Sequence, residues 1–324
     1  MILVSSAPGD GHAEVVLKAL SDQGARCRLL DLSLFPSRIT LTARYPRDAG
    51  GNGDPRFELR FSDGAILDLA EVSAIWWRRP QSYRISAEIT DAAIRHFALS
   101  ETRTAAAGIW QATTCLWVNH PVNDTAAAHK PWQLATAREA GLTLPDTLIT
   151  NDPEAATSFW ETHAGNVVSK PFRQTRGAWR ETRVVLPEDI SAIDAVQLTP
   201  VLFQELVKGI ADLRVTVIGD QLFAAAAALD DASYSVDIRF NPGIAYKPHV
   251  LPDDVTAAIF RLMHTLGLEY GAIDLRLTPD GRYVFFEVNP AGQFLYVEHS
   301  SGQPITSALT AHLLRAEPTR QPHK

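Results

Sequence analysis

Three side chains near the end of the chain carry oxygen atoms that could together bind a cation. Asp274, Glu287 and Asn289 lie within residues 270–292, which read YGAIDLRLTPDGRYVFFEVNPAG. Two carboxylates placed opposite each other on paired strands repel unless a cation lies between them. Mg²⁺ is usually bound by a few protein oxygens together with the phosphates of a substrate. We therefore predict a magnesium site in this segment; the alternative is a half-buried hairpin with a solvated acidic face.

The same segment predicts the hairpin that would bring these oxygens together. Its two strands of alternating character are joined by Asp280-Gly281, a dipeptide that suits a two-residue type I′ turn. In that register Asp274 lies directly opposite Glu287. The side-chain period of two also places Arg276 and Asn289 on their face. The opposite face would anchor the hairpin in a core through Ile273, Leu275, Leu277, Val284, Phe286 and Val288.

An Asp on one strand followed by Glu-x-Asn-Pro-x-Gly on the next resembles the metal-binding end of the ATP-grasp ligases. In that family the three corresponding side chains hold the Mg²⁺ ions that bridge the phosphates of ATP. The resemblance implies this role for Asp274, Glu287 and Asn289, and it places Arg276 beside the phosphates. It also implies an α/β (α+β) fold of the ATP-grasp type, with ATP and Mg²⁺ as cofactors.

Two lysines stand in the sequence contexts of the ATP-grasp residues that touch the ATP phosphates. Lys130, in AAAHKPWQL, would lie within a helix over residues 126–139, near the start of the central domain. Lys170, in VVSKPF, ends a predicted strand that precedes a polar segment. Either lysine taken alone would be interpreted as a surface residue, but the resemblance implies that both bind ATP.

Further ATP-grasp positions follow in the same order as in the family. The string FQELV resembles the hinge that holds the adenine, which makes Glu205 and Val207 candidates. Asp212 occupies the usual position of the ribose-binding acid, although the family often has Glu there. Arg214, in DLRVTV, matches a basic residue that reaches the transferred phosphate. Without the resemblance, Arg214 would be interpreted as a surface arginine of a strand.

Several strings resemble one branch of this family, the peptide maturases that make graspetides, which are microviridin-type peptides with side-chain ester or amide crosslinks. They are IWWRRP from Ile75, NHP from Asn119, LRVTVIG from Leu213, DIR from Asp237, GAIDLR from Gly271 and EVNPAGQF from Glu287. The resemblance covers nearly the whole chain and is specific from Trp76 onward. In this branch an Asp-x-Arg segment lies near the acceptor carboxylate and the phosphate. Asp237 and Arg239 are therefore implied as substrate-side residues, with a structural salt bridge as the alternative.

A group of arginines stands out in an otherwise acidic protein. Arg173, Arg176, Arg180 and Arg183 follow the predicted strand that ends at Lys170. Their charges would suit phosphates or an acidic precursor peptide. A solvated loop explains the same residues equally well, and the sequence leaves these interpretations open.

The length of the chain and the order of its predicted elements indicate three lobes. A chain of 324 residues exceeds the size at which one hydrophobic core stays efficient. Residues 1–121 begin with a β-α-β pattern and are predicted to form an N-terminal pre-ATP-grasp α/β domain. Residues 122–207 would form the central ATP-grasp domain, and residues 208–324 the C-terminal ATP-grasp domain with the metal site. The tip Pro8-Gly9-Asp10-Gly11 precedes a helix, where a plain turn is favoured over an anion site.

Composition argues against several classes of protein. A net charge of −7 and a pI near 5.8 are unlike those of a general nucleic-acid-binding protein, which needs a basic surface. No apolar run approaches the length of a membrane helix, and the first residues lack the features of a signal peptide. Cys27 and Cys115 lie far apart without metal or redox spacing, which indicates reduced core residues of a cytoplasmic protein.

The expected chemistry is the ATP-dependent joining of a carboxylate to an amine or a hydroxyl. Transfer of the γ-phosphoryl group makes an acyl phosphate and ADP, and the incoming nucleophile then displaces phosphate. The resemblance implies a peptide macrocyclase whose partner is a precursor peptide with acidic core residues, and the family commonly forms homodimers. A ligase of small amino-acid or dipeptide substrates is the second hypothesis, and a nucleotide-binding regulatory or scaffold protein is the third. The complete set of Lys, Asp, Glu and Asn candidates argues against the third.

Overall fold

The computed structural model describes residues 1–46, 55–172, 182–229 and 245–315. Within these ranges the strands are β1 (Ile2–Ser5), β2 (Cys27–Leu30), β3 (Thr40–Arg44), β4 (Arg56–Arg60), β5 (Ile66–Asp68), β6 (Ala74–Trp77), β7 (Leu116–Val118), β8 (Thr147–Thr150), β9 (Val167–Lys170), β10 (Arg183–Val184), β11 (Val201–Glu205), β12 (Ala211–Ile218), β13 (Gln221–Ala228), β14 (Lys247–Pro248), β15 (Tyr270–Leu277) and β16 (Tyr283–Asn289). The α-helices are α1 (Gly11–Asp22), α2 (Ala92–Ala112), α3 (Pro121–Ala127), α4 (Lys130–Glu139), α5 (Pro153–Thr162), α6 (Pro187–Ile190), α7 (Asp253–Leu266), α8 (Leu295–Ser301) and α9 (Ile305–Leu314). Across these ranges, no helix has both the length and the apolar character that crossing a membrane requires.

The first sheet is parallel, with the strand order β2-β1-β6-β7. The predicted β-α-β beginning is confirmed, because β1, α1 and β2 follow one another in the chain and β1 pairs with β2. Helix α1 buries Ala13, Val16 and Leu20, which lie three and four residues apart on one face. Strands β2 and β6 flank β1 on opposite sides, so the segments that follow β1 and β6 meet at the carboxyl edge of the sheet.

The candidate metal residues lie on a five-stranded antiparallel sheet with the order β14-β13-β12-β15-β16. Helix α7 covers one face of this sheet, and its buried Ile259 and Leu262 share a core with Val215 and Ile273. Because side chains alternate along a strand, the neighbour of Ile273 in β15, Asp274, projects from the opposite face. The core thus fixes which face of the sheet carries the chemistry.

The loop between β15 and β16 differs from its prediction. It has three residues, Pro279, Asp280 and Gly281, because the Thr278 N–H donates to the Arg282 carbonyl at 3.0 Å. Gly281 has a φ of +85°, a left-handed conformation that glycine adopts more readily than other residues. Three-residue hairpin loops commonly end on a residue in this conformation. The predicted two-residue type I′ turn is therefore wrong.

A β-bulge at Phe286 compensates for the longer loop. Leu275 pairs with Phe285, whereas Asp274 pairs with Glu287, so β16 contains one extra residue between these two positions. The added residue in the loop and the added residue in the strand shift the register in opposite directions. The predicted opposition of Asp274 and Glu287 is therefore confirmed, although the predicted turn is not.

The bulge also changes which side chains enter the core. The core contains Ile273, Leu275, Leu277 and Val288, as predicted. Phe285 rather than Phe286 is fully buried there, because the extra residue reverses the alternation of β16. Val284 pairs with Arg276 and lies outside this cluster. Val284 is nevertheless buried as predicted, at 2% exposed, whereas Phe286 is only partly buried, so its predicted core position is wrong.

A third sheet, antiparallel with the order β10-β9-β11-β8, carries Lys170 at the end of β9. The predicted single helix over residues 126–139 is in fact two helices, α3 and α4, and Lys130 is the first residue of α4. Pro131 accounts for the break, because a proline lacks the N–H that a helix interior requires but is tolerated in a first turn. Lys130 consequently extends from the start of a helix.

Candidate functional site

Asp274 and Glu287 project from one face of the β15–β16 hairpin, and each contacts a cationic side chain. Arg214 on β12 donates from Nη1 to Oδ1 of Asp274 at 2.6 Å. Lys130 at the start of α4 forms an ion pair through Nζ with Oε2 of Glu287. Asn289 lies two residues further along β16. The structure thus brings together the three predicted oxygen ligands and the first predicted lysine.

The donor set on this face suits a hard cation. Among the residues that the structure describes, no three His, Cys, Asp or Glu side chains form a group that could hold a metal ion. Two carboxylates and one amide leave the remaining coordination positions to water and ligand oxygens, which is the usual arrangement for Mg²⁺ on phosphates. The side chains of Asp274 and Glu287 are 24% and 26% exposed, so a ligand can reach both. These residues and Asn289 therefore fit the predicted magnesium.

Lys170, the last residue of β9 in the third sheet, approaches the carboxylate of Glu287. Its Nζ lies 4.3 Å from the ring centroid of Phe286, the extra residue of the bulge. Burial lowers the pKa of Lys170 to about 8, and the charge of Glu287 partly opposes this effect. Lys130 and Lys170, which the sequence predicts as phosphate-binding residues, therefore meet around Glu287 although they come from α4 and β9.

We expect nucleotide affinity to fall as the pH rises through about 8, because Lys170 then loses the charge that attracts phosphates. Bound phosphates favour the protonated lysine and raise its pKa, so binding above pH 8 requires uptake of a proton, whereas binding well below that pH does not. Calorimetric titration with ADP from about pH 7 to about pH 10 measures this dependence. Lys170→Met should bind ADP more weakly at neutral pH and lack the decrease. The same decrease in the variant would contradict the assignment.

Two Asp-Leu-Arg strings, one on β12 and one on β15, pair across antiparallel strands. Asp212 is the direct partner of Arg276, and Arg214 is the direct partner of Asp274. Each acidic residue therefore lies opposite a basic residue, and the two ion pairs lie side by side on one face. The repeated string is visible in the sequence, but which of its charged residues pair depends on the register between strands that are about sixty residues apart.

Arg276, which the resemblance places beside the phosphates, is buried and bound to protein groups. Its Nε and Nη2 donate to the two carboxylate oxygens of Asp212, at 2.6 and 2.8 Å. Its Nη1 donates to the Val207 carbonyl at 2.9 Å. Gly209 permits this path, because a Cβ atom there would lie 2.4 Å from Cγ of Arg276. Arg276 thus joins the predicted ribose-binding acid to the predicted adenine hinge.

The predicted adenine hinge lies between β11 and β12. Glu205 is the last residue of β11, and its N–H donates to the Asp146 carbonyl at 3.0 Å. Val207 is buried, and its carbonyl accepts the hydrogen bond from Arg276. The roles of Glu205, Val207 and Asp212 toward a nucleotide stay predictions, and the structure places the three residues on one continuous segment.

Arg214 is held between Asp274 and a residue that sequence reasoning missed, Tyr296. The Nε of Arg214 donates to the hydroxyl of Tyr296 at 2.9 Å, and the arginine side chain is only 5% exposed. Burial acts to lower the pKa of Arg214, but Asp274 and Tyr296 outweigh it and raise the pKa, so the guanidinium stays charged. Tyr296 lies on α8, seven residues after Asn289, and nothing in the local sequence distinguishes it from a core tyrosine.

The substrate-side candidates lie mostly outside the described residues. Those outside are Asp237 and Arg239, within 230–244, and Arg173, Arg176 and Arg180, within 173–181. Arg183 is described, and its Nη1 donates to Oδ2 of Asp189 at 2.6 Å on the surface. The Arg183 side chain is 58% exposed, so this contact is a local surface ion pair.

Asn119, whose string resembles the graspetide branch, links the first sheet to the metal hairpin. Its Oδ1 accepts hydrogen bonds from the N–H groups of Glu269 and Tyr270, each at 2.8 Å. Its Nδ2 donates to the carbonyls of Tyr270, at 2.9 Å, and Pro290, at 3.2 Å. One buried amide therefore contacts the beginning of β15 and the segment just after β16. Sequence reasoning did not predict this contact, because it joins residues more than 150 positions apart.

Comparison with known proteins identifies relatives over nearly the whole chain. The family described as MvdD pre-ATP grasp domain matches residues 1–125. The macrocyclase MdnC from Microcystis aeruginosa MRC, in a crystal structure bound with precursor peptide MdnA, is 30% identical, and the likeness covers 97% of this chain and 99% of that chain with a TM-score of 0.83. Macrocyclase MdnB from the same organism is 28% identical, with coverage of 97% and 98% and a TM-score of 0.80.

A second group of similar structures belongs to the ATP-grasp ligase PsnB. Its complex with minimal precursor, Mg and ADP is 25% identical, with coverage of 97% of this chain and 96% of that chain and a TM-score of 0.75. No curated protein sequence matches the chain. The identity with MdnC extends over nearly the full length of both chains. It agrees with the order of the candidate site residues along the sequence, which resembles that of the ATP-grasp family. The chain therefore belongs to the ATP-grasp ligase family, in the branch of the graspetide peptide maturases.

Proposed function

We propose that this protein is an ADP-forming ligase that forms ester or amide crosslinks between side chains of a ribosomally made precursor peptide, closing macrocycles. The observation that carries the proposal is the convergence of Lys130, Lys170 and Arg214 on the opposed carboxylates Asp274 and Glu287. That arrangement belongs to a chain that is similar over 97% of its length to a macrocyclase bound with a precursor peptide.

The first step would be phosphorylation of an Asp or Glu side chain of the peptide. A carboxylate oxygen attacks the γ-phosphorus of ATP, the bond to the β-phosphate oxygen breaks, and ADP leaves. Lys130 and Lys170 would bind the phosphates, and Arg214 would stabilise charge on the transferred group. Mg²⁺ held by Asp274, Glu287 and Asn289 would neutralise the negative charge of the phosphates.

The second step would be attack on the acyl phosphate by a Ser or Thr hydroxyl or a Lys amine of the same peptide. The nucleophile bonds to the carbonyl carbon, loses its proton, and phosphate leaves. A covalent intermediate on the protein is not required, because the acyl phosphate already has a good leaving group. Burial raises the pKa of the Cys115 thiol to about 12, so this cysteine stays protonated and is a poor nucleophile.

The peptide partner would have acidic core residues. These would supply the carboxylates that are activated, and Asp237 and Arg239 would act on the substrate side.

The protein itself is proposed to be a cytoplasmic homodimer, from the family resemblance and the cysteine pattern. Light scattering on the purified protein tests the dimer, because the mass of one chain is 35.5 kDa. A monomer across the concentrations at which the protein is active would remove that proposal.

Incubation with a precursor peptide encoded beside the gene, ATP and Mg²⁺ is expected to lower the peptide mass by about 18 Da for each bond, because every condensation through an acyl phosphate removes one water. Mass spectrometry measures this loss, and fragmentation should map it to Asp or Glu side chains. ADP and phosphate, not AMP, should accumulate. The matched control omits ATP. If no peptide loses water but free amino acids stimulate ADP release, the protein is instead a ligase of small substrates.

A further inference from the structure

The segment that follows the metal hairpin is held by a buried arginine of the first sheet. Arg78 directly follows β6, and its side chain is 0% exposed. Its Nη1 donates to the carbonyl of Gly292 at 2.8 Å and also to the carbonyl of Ala291. These two carbonyls are more than two hundred positions away in sequence, so the contact is a product of the tertiary fold.

The contacted peptide is in turn bound to a candidate metal ligand. The N–H of Ala291 donates to Oδ1 of Asn289 at 3.0 Å, and the N–H of Gly292 donates to the Asn289 carbonyl at 3.1 Å. Residue Ala291 therefore binds Asn289 through its N–H and Arg78 through its carbonyl. Two successive hydrogen bonds connect the buried guanidinium with the amide oxygen that the proposed Mg²⁺ would use.

Arg78 is itself fixed in place. Its Nε lies 3.4 Å from Oδ2 of Asp10, the residue that caps α1. Burial opposes ionisation of Asp10, but hydrogen bonds from His12 and Ser6 and the charge of Arg78 outweigh it and lower its pKa, so the carboxylate stays charged. A buried guanidinium is costly unless it is paired and hydrogen-bonded. The ion pair with Asp10 and the two hydrogen bonds from Nη1 offset part of this cost, while Nε and Nη2 form no hydrogen bond with the described residues.

Other contacts leave this segment little room to move. The Nε2 of His12 accepts hydrogen bonds from the N–H groups of Phe294, at 3.0 Å, and Leu295, at 3.2 Å. At Gly292 a Cβ atom would lie 2.2 Å from Cβ of Ala272, so the backbone is pressed against β15. Helix α1 therefore contacts the segment through His12 on one side, and the metal hairpin confines it on the other.

We infer that Arg78 is a positioning residue for the metal site: it orients Asn289 through residue Ala291 and so sets the affinity for Mg²⁺ bound with nucleotide. Removing a group that orients a metal ligand typically lowers metal affinity by about 10–100-fold. The inference rests on the proposed Mg²⁺-dependent nucleotide site, but it does not depend on the identity of the peptide substrate.

The test measures ADP affinity by calorimetry, once with Mg²⁺ and once with EDTA, in the absence of any peptide. Arg78→Lys keeps the charge but has a single side-chain nitrogen, which cannot lie at both the carbonyls and Asp10 as Nη1 and Nε of the arginine do. We expect its affinity in EDTA to match the unsubstituted protein, while the gain in affinity on adding Mg²⁺ falls by about tenfold. Arg26→Lys is the matched control, because the Arg26 side chain belongs to the same lobe and is 67% exposed.

A double-mutant cycle separates positioning from a general structural role. In an Asn289→Ala background, Arg78→Lys should have no further effect on the gain from Mg²⁺, because the ligand that it orients is absent. If Arg78→Lys does not fold by circular dichroism, Asp10→Asn replaces it under the same criterion, since an amide oxygen can still cap α1.

Three results would overturn the inference. They are equal losses with Mg²⁺ and with EDTA, an unchanged gain from Mg²⁺ in folded Arg78→Lys, and the same further loss in the Asn289→Ala background. If Mg²⁺ raises the ADP affinity of the unsubstituted protein but no peptide is processed, only the proposed substrate is ruled out. No Mg²⁺ gain in the unsubstituted protein would remove both this inference and the proposed metal site.

Discussion

Glu287→Gln is expected to reduce ATP-dependent product formation by about 10²–10³-fold, the range for loss of one preorganised electrostatic contact. The substitution preserves the shape of the side chain and removes its charge. Glu287 lies opposite Asp274, pairs with Lys130 and lowers the cost of charging Lys170. Losing its charge therefore weakens the proposed metal site and leaves two lysines close together without their shared counter-ion.

The measurement is product mass at saturating ATP and Mg²⁺, alongside circular dichroism to show that the variant is folded. The matched control is Glu161→Gln on α5, which makes the same chemical change at an exposed position and should keep full activity. Full activity of Glu287→Gln at saturating Mg²⁺ would remove the hairpin from the mechanism. Equal loss in both variants would point to a general effect of the substitution.

Arg276→Met is expected to destabilise the protein by about 3–5 kcal/mol, the usual cost of removing one partner from a buried ion pair. The Arg276 side chain is 4% exposed, and its partner Asp212 is 14% exposed. Without Arg276, Asp212 keeps a charge that has lost two short hydrogen bonds. The carbonyl of Val207 loses its donor in the same substitution.

Urea denaturation monitored by circular dichroism measures the change, and two further variants make it interpretable. Arg282→Met removes an exposed ion pair with Asp280 on the same hairpin, and it should shift the midpoint little. The double variant Arg276→Met with Asp212→Leu should recover at least half of the loss, because no buried charge is left alone. An unchanged midpoint in Arg276→Met would show that the pair is not part of the stable core. No recovery in the double variant would show that the unpaired charge is not the cause.

The sequence by itself determined the parts of the site that depend on local order. Asp274, Glu287 and Asn289 lie within one hairpin of alternating residues, so their common face follows from the side-chain period of two. Lys130 and Lys170 occur in an order that resembles the ATP-grasp family, and both lie beside Glu287. Local alternation and motif order were therefore enough to identify the chemistry.

Other features of the hairpin depended on how it packs. The turn residues favour a two-residue loop, yet the chain forms a three-residue loop and a bulge at Phe286. Both deviations are compatible with the same alternation, because each shifts the register by one residue and together they cancel. Phe285 rather than Phe286 is buried in a core with residues of α7, a helix that the hairpin sequence does not contain.

Only the tertiary structure decided which charged groups pair across the fold. The ion-pair partners of Asp212 and Arg214 lie about sixty residues away on β15, and the two carbonyls that Arg78 contacts lie more than two hundred residues away. Sequence periodicity gives the face of a strand but not its register against a distant strand. That register is set when the cores of the sheets close and bury these charges, because each buried charge then requires a partner. The local sequence therefore determined which side chains form the candidate site, whereas long-range packing determined the contacts that hold them in position.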